Sequence, residues 1–325
     1  MKLEDVGFYT LSDKRAQNIS LTSDLQRCEL ILTNRCNFNC PYCRGIVKNM
    51  QGDLTLDRAK HIVDIWTNNN LHNIRFSGGE PTLWKDLLEL VQYTKSKPSI
   101  QHIALSTNGN SDTKLYDELL QAGVNDFSIS LDACCASTAA MMSGGSARFD
   151  KIIYNIKHLA ELTYVTVGIV VDEKTQSDLT KVIEFANSLG VADIRFIPSA
   201  QWNNRIAIDV PESIRENNPI LNFRLRNIEK GRHIRGLTEH DSCQCWMVLD
   251  DMAILNNFHF PCIIYMREQG DPIGTVDEKS IEEIRTERRA WMMKTNCHDD
   301  AICKKNCLDV CRMFNVKAGD YAQGL

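Results

Sequence analysis

Short apolar runs alternate with amphipathic stretches from about residue 28 to residue 198. In the stretch after residue 54, for example, Ala59, Ile62, Val63 and Trp66 recur with the spacing of one helical face. A strand, a turn and a helix, repeated in this order, predict parallel βα units in an α/β fold. Six units are too few for an eight-stranded barrel, so an incomplete barrel and a doubly wound sheet both remain open. The six predicted strands lie in segments 28–33, 73–81, 102–109, 126–132, 165–172 and 193–198.

Polar and glycine-rich motifs follow the predicted strands, at the point where each strand ends. They include a cysteine-rich loop after the first strand, SGGEP after the second, STNG after the third and SLDACC after the fourth. The carboxyl ends of parallel strands meet at one edge of a sheet, where ligands bind in open α/β folds. The pattern therefore predicts a single active site at this edge.

The repeated pattern stops near residue 200 and divides the chain of 325 residues. The next stretch is polar and interrupted by proline, which predicts a linker or a lid. The remaining part is short and rich in cysteine, although segment 280–294 has helical spacing and segment 245–262 resembles a hairpin. We therefore predict an N-terminal extension, a barrel-like domain, a linker or lid and a C-terminal cysteine-rich domain, at 1–27, 28–199, 200–240 and 241–325.

Composition narrows the class of protein. The formal net charge of −5, without a long run of like charge, disfavours general attraction to a phosphate backbone. No segment has the apolar core of a signal peptide or the length of a membrane span, so we expect a cytoplasmic protein that does not enter membranes. Thirteen cysteines without an export signal favour metal or redox chemistry over disulfides.

The segment CNFNCPYCRG places three cysteines, Cys36, Cys40 and Cys43, on one loop. A structural zinc site commonly uses four ligands, whereas three thiolates can hold three irons of a [4Fe-4S] cluster and leave the fourth iron open. An open iron is what a reaction needs and what a purely structural site avoids.

With these motifs in register, residues 28 to about 200 resemble the radical S-adenosylmethionine (SAM) superfamily, which implies a partial (β/α)6 barrel. The resemblance implies that the three cysteines bind a [4Fe-4S] cluster and that SAM chelates its open iron. It also implies that Tyr42 flanks the adenine and that the backbone of the glycine motif receives the SAM amino group. Further SAM contacts are implied at the ends of the third and fourth strands. The cofactor-binding residues expected in this way are Tyr42, Gly78, Gly79, Glu80, Asn108, Ser130 and Asp132.

The C-terminal cysteines resemble the auxiliary-cluster extension called SPASM, or its shorter form, twitch. Asn257 and Phe258 stand where a glycine is usual, and Lys294 replaces a cysteine of the last run. We therefore expect one auxiliary [4Fe-4S] cluster, bound by Cys245 and Cys262 with two cysteines of the final group, and leave a second cluster open. A zinc ribbon is the alternative. The candidate ligands are Cys245, Cys262, Cys303, Cys307 and Cys311, with Cys243 and Cys297 as further possibilities.

The resemblance implies an enzyme, of oxidoreductase or isomerase type, that cleaves SAM reductively and abstracts a hydrogen atom from a substrate carbon. The expected outcome is epimerisation, dehydrogenation or rearrangement of a small molecule, a sugar or a nucleotide. Cys134 and Cys135, on a predicted close-packed loop, are candidate hydrogen-atom donors. A reducing partner such as flavodoxin or ferredoxin is expected. The alternatives are modification of a ribosomally made peptide, an iron–sulfur electron carrier without catalysis, and a zinc-stapled binding module.

Overall fold

A single open sheet organises the computed structural model, which describes residues 14–44, 52–202 and 204–323. Residues 1–13 of the predicted N-terminal extension and the last two residues of the predicted C-terminal domain lie outside this range. The described strands of the sheet are β1 (Arg27–Ile31), β2 (Asn73–Ser77), β3 (His102–Thr107), β4 (Asp126–Ser130), β5 (Tyr164–Val171), β6 (Asp193–Pro198), β7 (Asp251–Leu255), β8 (Phe258–Phe260) and β9 (Gly274–Thr275).

The strand order is β6-β5-β4-β3-β2-β1-β7-β8-β9. Each of the first six strands runs parallel to its neighbour, as the six predicted strands require. β7 also runs parallel to β1, whereas β8 and β9 are antiparallel additions. Because β6 and β9 end the sheet without pairing to each other, the barrel is incomplete. The predicted α/β fold with a partial barrel is therefore confirmed.

Helices cover the outer face of the barrel strands. Their apolar faces carry the spacing that the sequence shows: Ala59, Ile62, Val63 and Trp66 are all buried, and the Thr55 side chain caps their helix. The described helices are α1 (Leu56–Thr67), α2 (Leu87–Lys95), α3 (Thr113–Ala122), α4 (Ala136–Ser143), α5 (Phe149–Leu162), α6 (Leu179–Asn187), α7 (Glu212–Asn217), α8 (Pro219–Glu229), α9 (Ile263–Arg267), α10 (Ile281–Lys294), α11 (Ala301–Asn306) and α12 (Asp309–Gln323).

The segment predicted as a linker or lid contains two helices, α7 and α8. Pro219 stands in the first turn of α8, where proline favours a helix because no backbone donor is needed there. The amide of Ile220 donates to Asp193 Oδ2 at 2.8 Å, and the buried Arg224 side chain donates to the carbonyl of Phe196. This segment therefore packs on β6, and Gln201 Nε2 also reaches the Tyr42 carbonyl at 3.2 Å.

The hairpin expected between Cys245 and Cys262 is present as β7 and β8, and it belongs to the same sheet as the barrel. Ile31 of β1 is paired in register with Leu255 of β7, so the sheet continues across the domain boundary predicted at residue 240. That boundary stays a prediction. Within the described ranges, no helix is both long and apolar enough to cross a membrane.

Candidate functional site

Residues 36–44, which we call the first cysteine loop, follow β1. Cys36 and Cys43 are exposed and Cys40 is half-buried, so all three thiols are accessible from outside the core. A turn closes the loop, because the amide of Cys43 donates to the carbonyl of Cys40 at 3.0 Å. The amide of Phe38 donates to Cys36 Sγ at 3.4 Å. The loop thus presents three thiols and already supplies one backbone donor to sulfur.

The glycine motif after β2 holds the chain that leads into the first cysteine loop. The amide of Gly79 donates to the carbonyl of Thr33, and the amide of Glu80 donates to the carbonyl of Arg35, both at 2.8 Å. A Cβ at position 79 would lie 2.3 Å from the Arg35 carbonyl oxygen, and one at position 78 would lie 2.5 Å from the Thr33 oxygen. Glycine is required here because two backbone segments touch.

Glu80, expected near the cofactor, is buried and uses both carboxylate oxygens within the protein. Oε1 accepts from the hydroxyls of Thr82 and Thr107, each at 2.7 Å, and from the Thr82 amide at 3.1 Å. Oε2 accepts from the amide of Asn108 at 2.7 Å. Burial raises the pKa of Glu80, against these hydrogen bonds. The carboxylate therefore fastens the end of β3 to the glycine turn.

Asn108 and Asp132 both contact the first cysteine loop. Asn108 Nδ2 donates to Asn37 Oδ1 at 2.7 Å. The Tyr42 hydroxyl donates to Asp132 Oδ2, and Asp132 Oδ1 accepts from the amide of Val170 at 2.7 Å. Burial raises the pKa of Asp132 to about 6. The structure therefore brings together residues from three predicted strand ends.

Ser130 is the last residue of β4 and is exposed, unlike the four residues before it. It lies two residues before Asp132, on the strand end that meets the first cysteine loop through Tyr42. Its hydroxyl is therefore available at the edge of the sheet where the other candidate residues gather.

Charged side chains on alternate positions of the barrel strands were missed by the sequence interpretation. Arg75 of β2 forms an ion pair with Asp126 of β4, with 2.9 Å between Nη2 and Oδ2. Arg195 of β6 contacts the Ser128 hydroxyl, and a Cβ at Gly168 would lie 3.4 Å from its Nε. The signal was present, because a charge at every second position of an apolar strand indicates a polar interior face.

Six of the seven C-terminal cysteines line one recess, which we call the six-cysteine recess. Its apolar walls include Met247, Ile264 and Trp291, whereas Cys243 is exposed and does not line it. Cys297, which the sequence analysis named only as a possible further cluster ligand, lies within hydrogen-bonding contact of both Cys245 and Cys303. The lining cysteines are Cys245, Cys262, Cys297, Cys303, Cys307 and Cys311.

Burial contributes to the raised pKa of every one of these six thiols. It raises the pKa of Cys311 to about 12, and the neighbouring thiol of Cys245 adds to this effect. The pKa of Cys303 is raised to about 11, where burial and the nearby Cys245 outweigh the hydrogen bond from Cys297. The thiols are therefore protonated at neutral pH until a metal displaces the protons.

The donor sets fit iron–sulfur clusters in both places. In the residues that the structure describes, no three His, Cys, Asp or Glu side chains converge on one point as ligands of a single ion would. Each cysteine of a four-iron cluster binds a different iron, so its thiolates need not share one point. Three accessible thiols on a loop and six that line one recess are both compatible with that requirement.

A buried arginine supports the six-cysteine recess from the side of the hairpin. Arg288 of α10 is fully buried, and its guanidinium donates to the carbonyls of Val248 at 2.8 Å and Phe260 at 3.0 Å. It also contacts the ring of the buried His259 at 3.2 Å. The positive charge near Cys245 and Cys262 stabilises their thiolates, although burial lowers the pKa of Arg288 to about 10.

Cys134 and Cys135 point into different surroundings. Cys134 packs against the hydrophobic core, whereas Cys135 is exposed and precedes α4 as its N-cap. The segment predicted as a loop is thus an eight-residue helix. The hydroxyls of Ser137 and Thr138 lie 3.3 Å from Cys135 Sγ and lower the pKa of that thiol to about 7.

Comparison with known proteins supports this assignment of the fold. Residues 30–186 match the family model described as the radical SAM superfamily. A GTP 3',8-cyclase of Alkaliphilus metalliredigens is 26% identical over 299 residues, covering 82% of this chain and 92% of the relative. A probable GTP 3',8-cyclase of Saccharolobus islandicus is 30% identical over 178 residues, but these span only 56% of that relative and 53% of this chain.

Two solved structures have a similar fold. SuiB of Streptococcus suis, bound to the precursor peptide SuiA, aligns with a TM-score of 0.60 at 14% identity, covering 83% of this chain and 66% of SuiB. The enzyme anSMEcpe with bound AdoMet aligns with a TM-score of 0.59 at 16% identity, covering 93% and 94%. The protein is thus an enzyme built on an open parallel barrel. Its residues 30–186 form a radical SAM domain, and members of that superfamily use a [4Fe-4S] cluster, SAM, a reductant and a substrate.

Proposed function

We propose that this enzyme cleaves SAM reductively at a [4Fe-4S] cluster bound by Cys36, Cys40 and Cys43, and abstracts a hydrogen atom from a substrate carbon. The observation that carries the proposal is the first cysteine loop, which presents three accessible thiols and is held to two neighbouring strand ends by Asn108 and Asp132. Three thiolates leave one iron for SAM. When bound, the cluster and SAM together supply one-electron cleavage of the sulfonium and a 5'-deoxyadenosyl radical.

The residues around the loop orient the cofactor and exclude water. We assign the ribose and methionine carboxylate of SAM to the neighbourhood of Asn108, Ser130 and Asp132, and the adenine to Tyr42. The glycine turn at Gly78 and Gly79 presents backbone where a side chain cannot fit, which suits close approach of the SAM amino group. Asp132 already accepts two hydrogen bonds, so its main task is to hold Tyr42 in place.

We assign an auxiliary [4Fe-4S] cluster to the six-cysteine recess. A cluster bound only by cysteine uses four thiolates, and two such clusters would use eight, which exceeds the six that line the recess. We therefore favour one auxiliary cluster, in a SPASM-like or twitch-like domain, with Cys245 and Cys262 and two of Cys297, Cys303, Cys307 and Cys311 as its ligands. Cys243, which is exposed, is not assigned.

For the substrate we favour a nucleotide or a related small molecule over a peptide. The match to a GTP 3',8-cyclase, which extends over 92% of that relative, supports this choice. The similarity to SuiB concerns only the fold. Epimerisation, dehydrogenation and rearrangement are all compatible with the site. Cys135, whose thiol is exposed, is the more accessible of the two candidate hydrogen-atom donors. Flavodoxin or ferredoxin is the proposed reducing partner.

The test is anaerobic purification followed by reconstitution with iron and sulfide. We expect about eight irons per chain and, with dithionite and SAM, formation of 5'-deoxyadenosine. GTP, other nucleoside triphosphates and a panel of short peptides would then be compared for the amount of SAM cleaved per product formed. Iron without SAM cleavage would support an electron carrier, zinc alone would support a binding module, and peptide-dependent turnover would support the peptide alternative.

A further inference from the structure

An ion pair joins the first cysteine loop to the segment that carries Cys262. Arg44 directly follows Cys43, and its guanidinium contacts the carboxylate of Glu268. Both side chains are only 19% exposed, so the contact is largely shielded from water. Glu268 is the C-cap of α9, the short helix for which Cys262 is the N-cap. The pair therefore connects one cysteine of the loop with one cysteine of the six-cysteine recess.

The geometry brings the Arg44 charge close to both groups of thiols. Glu268 lies six positions after Cys262, which corresponds to roughly 9 Å along a helix. Arg44 is adjacent to Cys43 in the chain, and its ion pair with Glu268 holds the guanidinium beside the helix that begins at Cys262. Because a guanidinium stays protonated in proteins, a positive charge lies next to both groups of cysteines.

We propose that Glu268 positions Arg44 between the two cysteine groups, and that the charges of this pair set the reduction potentials of the iron–sulfur clusters bound there. Arg44 and Glu268 are positioning residues, since neither is assigned to bind iron, SAM or substrate. A reduced cluster carries one more negative charge than an oxidised one, so a nearby positive charge stabilises the reduced form. This inference rests on the proposed function of both cysteine groups.

The sign of the effect differs between the two partners. Arg44→Gln removes the positive charge and leaves the Glu268 carboxylate near the clusters, so reduction becomes harder. Glu268→Gln leaves the Arg44 charge uncompensated, so reduction becomes easier. For a partly buried unit charge we expect about a tenfold change in the ratio of reduced to oxidised cluster at a fixed potential, or about 59 mV for one electron.

The experiment is an anaerobic redox titration of the reconstituted holoenzyme, followed by electron paramagnetic resonance. The cluster that binds SAM is identified by the change in its signal when SAM is added. We expect opposite shifts in Arg44→Gln and Glu268→Gln, a midpoint near that of the wild type in the double variant, and rescue by Arg44→Lys, which keeps the charge. Shifts in one direction, or no shift in variants that keep full iron content, would overturn the proposal.

A second ion pair provides the matched control. Arg58 of α1 contacts Asp277, which also joins the barrel to the C-terminal part of the chain, with side chains 22% and 35% exposed. We expect Asp277→Asn to leave both midpoints unchanged. An equal shift in this control would assign the effect to loosened packing and so contradict the proposed charge effect.

The titration also separates this inference from the proposed function. Absence of any cluster signal in the wild type, or of its response to SAM, would refute the proposed function and the inference together. Normal clusters and SAM cleavage combined with unshifted midpoints in the variants would refute only the role of the ion pair. If the single variants lose iron, the double variant and Arg44→Lys test the proposal instead. Iron content restored to the wild-type level, without reduction midpoints near those of the wild type, would contradict the proposed charge effect.

Discussion

The two cysteine groups of this enzyme differ in exposure, in number of thiols and in how they are supported. The first cysteine loop places three thiols at the surface of the barrel and is held mainly by hydrogen bonds to neighbouring strand ends. The six-cysteine recess surrounds its thiols with apolar side chains, and the buried Arg288 fixes the hairpin beside it. The thiols of the first group are mostly exposed, whereas those of the second are buried or partly buried.

This difference matches two different tasks. A cluster that must bind a cofactor needs an iron that small molecules can reach, which an exposed loop with three thiolates allows. A cluster that only stores or passes electrons, or that binds part of a substrate, benefits from a shielded environment, since burial and nearby charges tune its potential. The predictions that follow test this division of roles.

The largest effect is expected from removing the first group. Replacing Cys36, Cys40 and Cys43 by alanine should abolish SAM cleavage and lower the iron content by about four atoms per chain, because the open iron is lost. Iron analysis and 5'-deoxyadenosine formation measure both quantities. The control is Cys28→Ala, since Cys28 is buried in β1 and should not bind iron. Retained cleavage in the triple variant would contradict the assignment.

Removing one enclosed thiol should separate the two tasks. Cys262→Ala should lower the iron content by about four atoms and stop product formation, yet leave uncoupled SAM cleavage, because the first group is intact. Cys243→Ala is the control and should retain all iron, since this exposed cysteine does not line the recess. Equal iron loss in both variants would contradict the prediction that the cluster ligands are the cysteines that line the recess.

A smaller effect, on stability, is expected from replacing Glu80, whose side chain holds the end of β3 beside the first cysteine loop. Glu80→Gln should reduce the free energy of unfolding by about 2–3 kcal/mol, because a buried carboxylate that accepts four hydrogen bonds is lost. Urea denaturation of the protein measures the change. Glu118→Gln, in an exposed pair with Lys114, should change it by less than about 0.5 kcal/mol. An equal effect of the two substitutions would argue against Glu80 as a fastening residue.

The smallest effect concerns Cys135, which belongs to neither group. Its alkylation by iodoacetamide should increase with pH through a midpoint of about 7, because only the thiolate reacts and hydrogen bonds from Ser137 and Thr138 stabilise it. Mass spectrometry of the modified peptide provides the rate at each pH. In Ser137→Ala/Thr138→Val the midpoint should move up towards that of an ordinary thiol, and an unchanged profile would contradict the hydrogen-bond explanation.

The barrel could be predicted from the sequence because its signals are local. All six predicted strands are present within a few residues, and the SGGEP motif lies where the strand pattern placed it, directly after β2. The helical spacing of apolar residues before Val91 already includes Trp84, but α2 begins only at Leu87, because Pro81–Leu83 form a 3₁₀ turn first. Such errors at element ends are small, since spacing defines a helix face better than it defines its first residue.

Contacts between distant segments could not be predicted. Periodicity does not reveal that β7 pairs with β1, since register between strands 224 residues apart is set by tertiary packing (Arg27 with Asp251). The contact between Tyr42 and Asp132 also depends on the folded chain, although both residues were singled out separately. The Arg44–Glu268 pair had no local signal at all, because each residue is an ordinary charge in its own segment.

The pairing of β7 with β1 has a consequence for how this enzyme can be taken apart. A fragment that ends before residue 251 would uncover the backbone donors and acceptors of β1 along a whole side. An unpaired strand edge can pair with other chains, so we expect the truncated protein to aggregate rather than to form a minimal catalytic domain. The cysteine-rich C-terminal part thus shares the sheet of the barrel, and both must be expressed in a single chain.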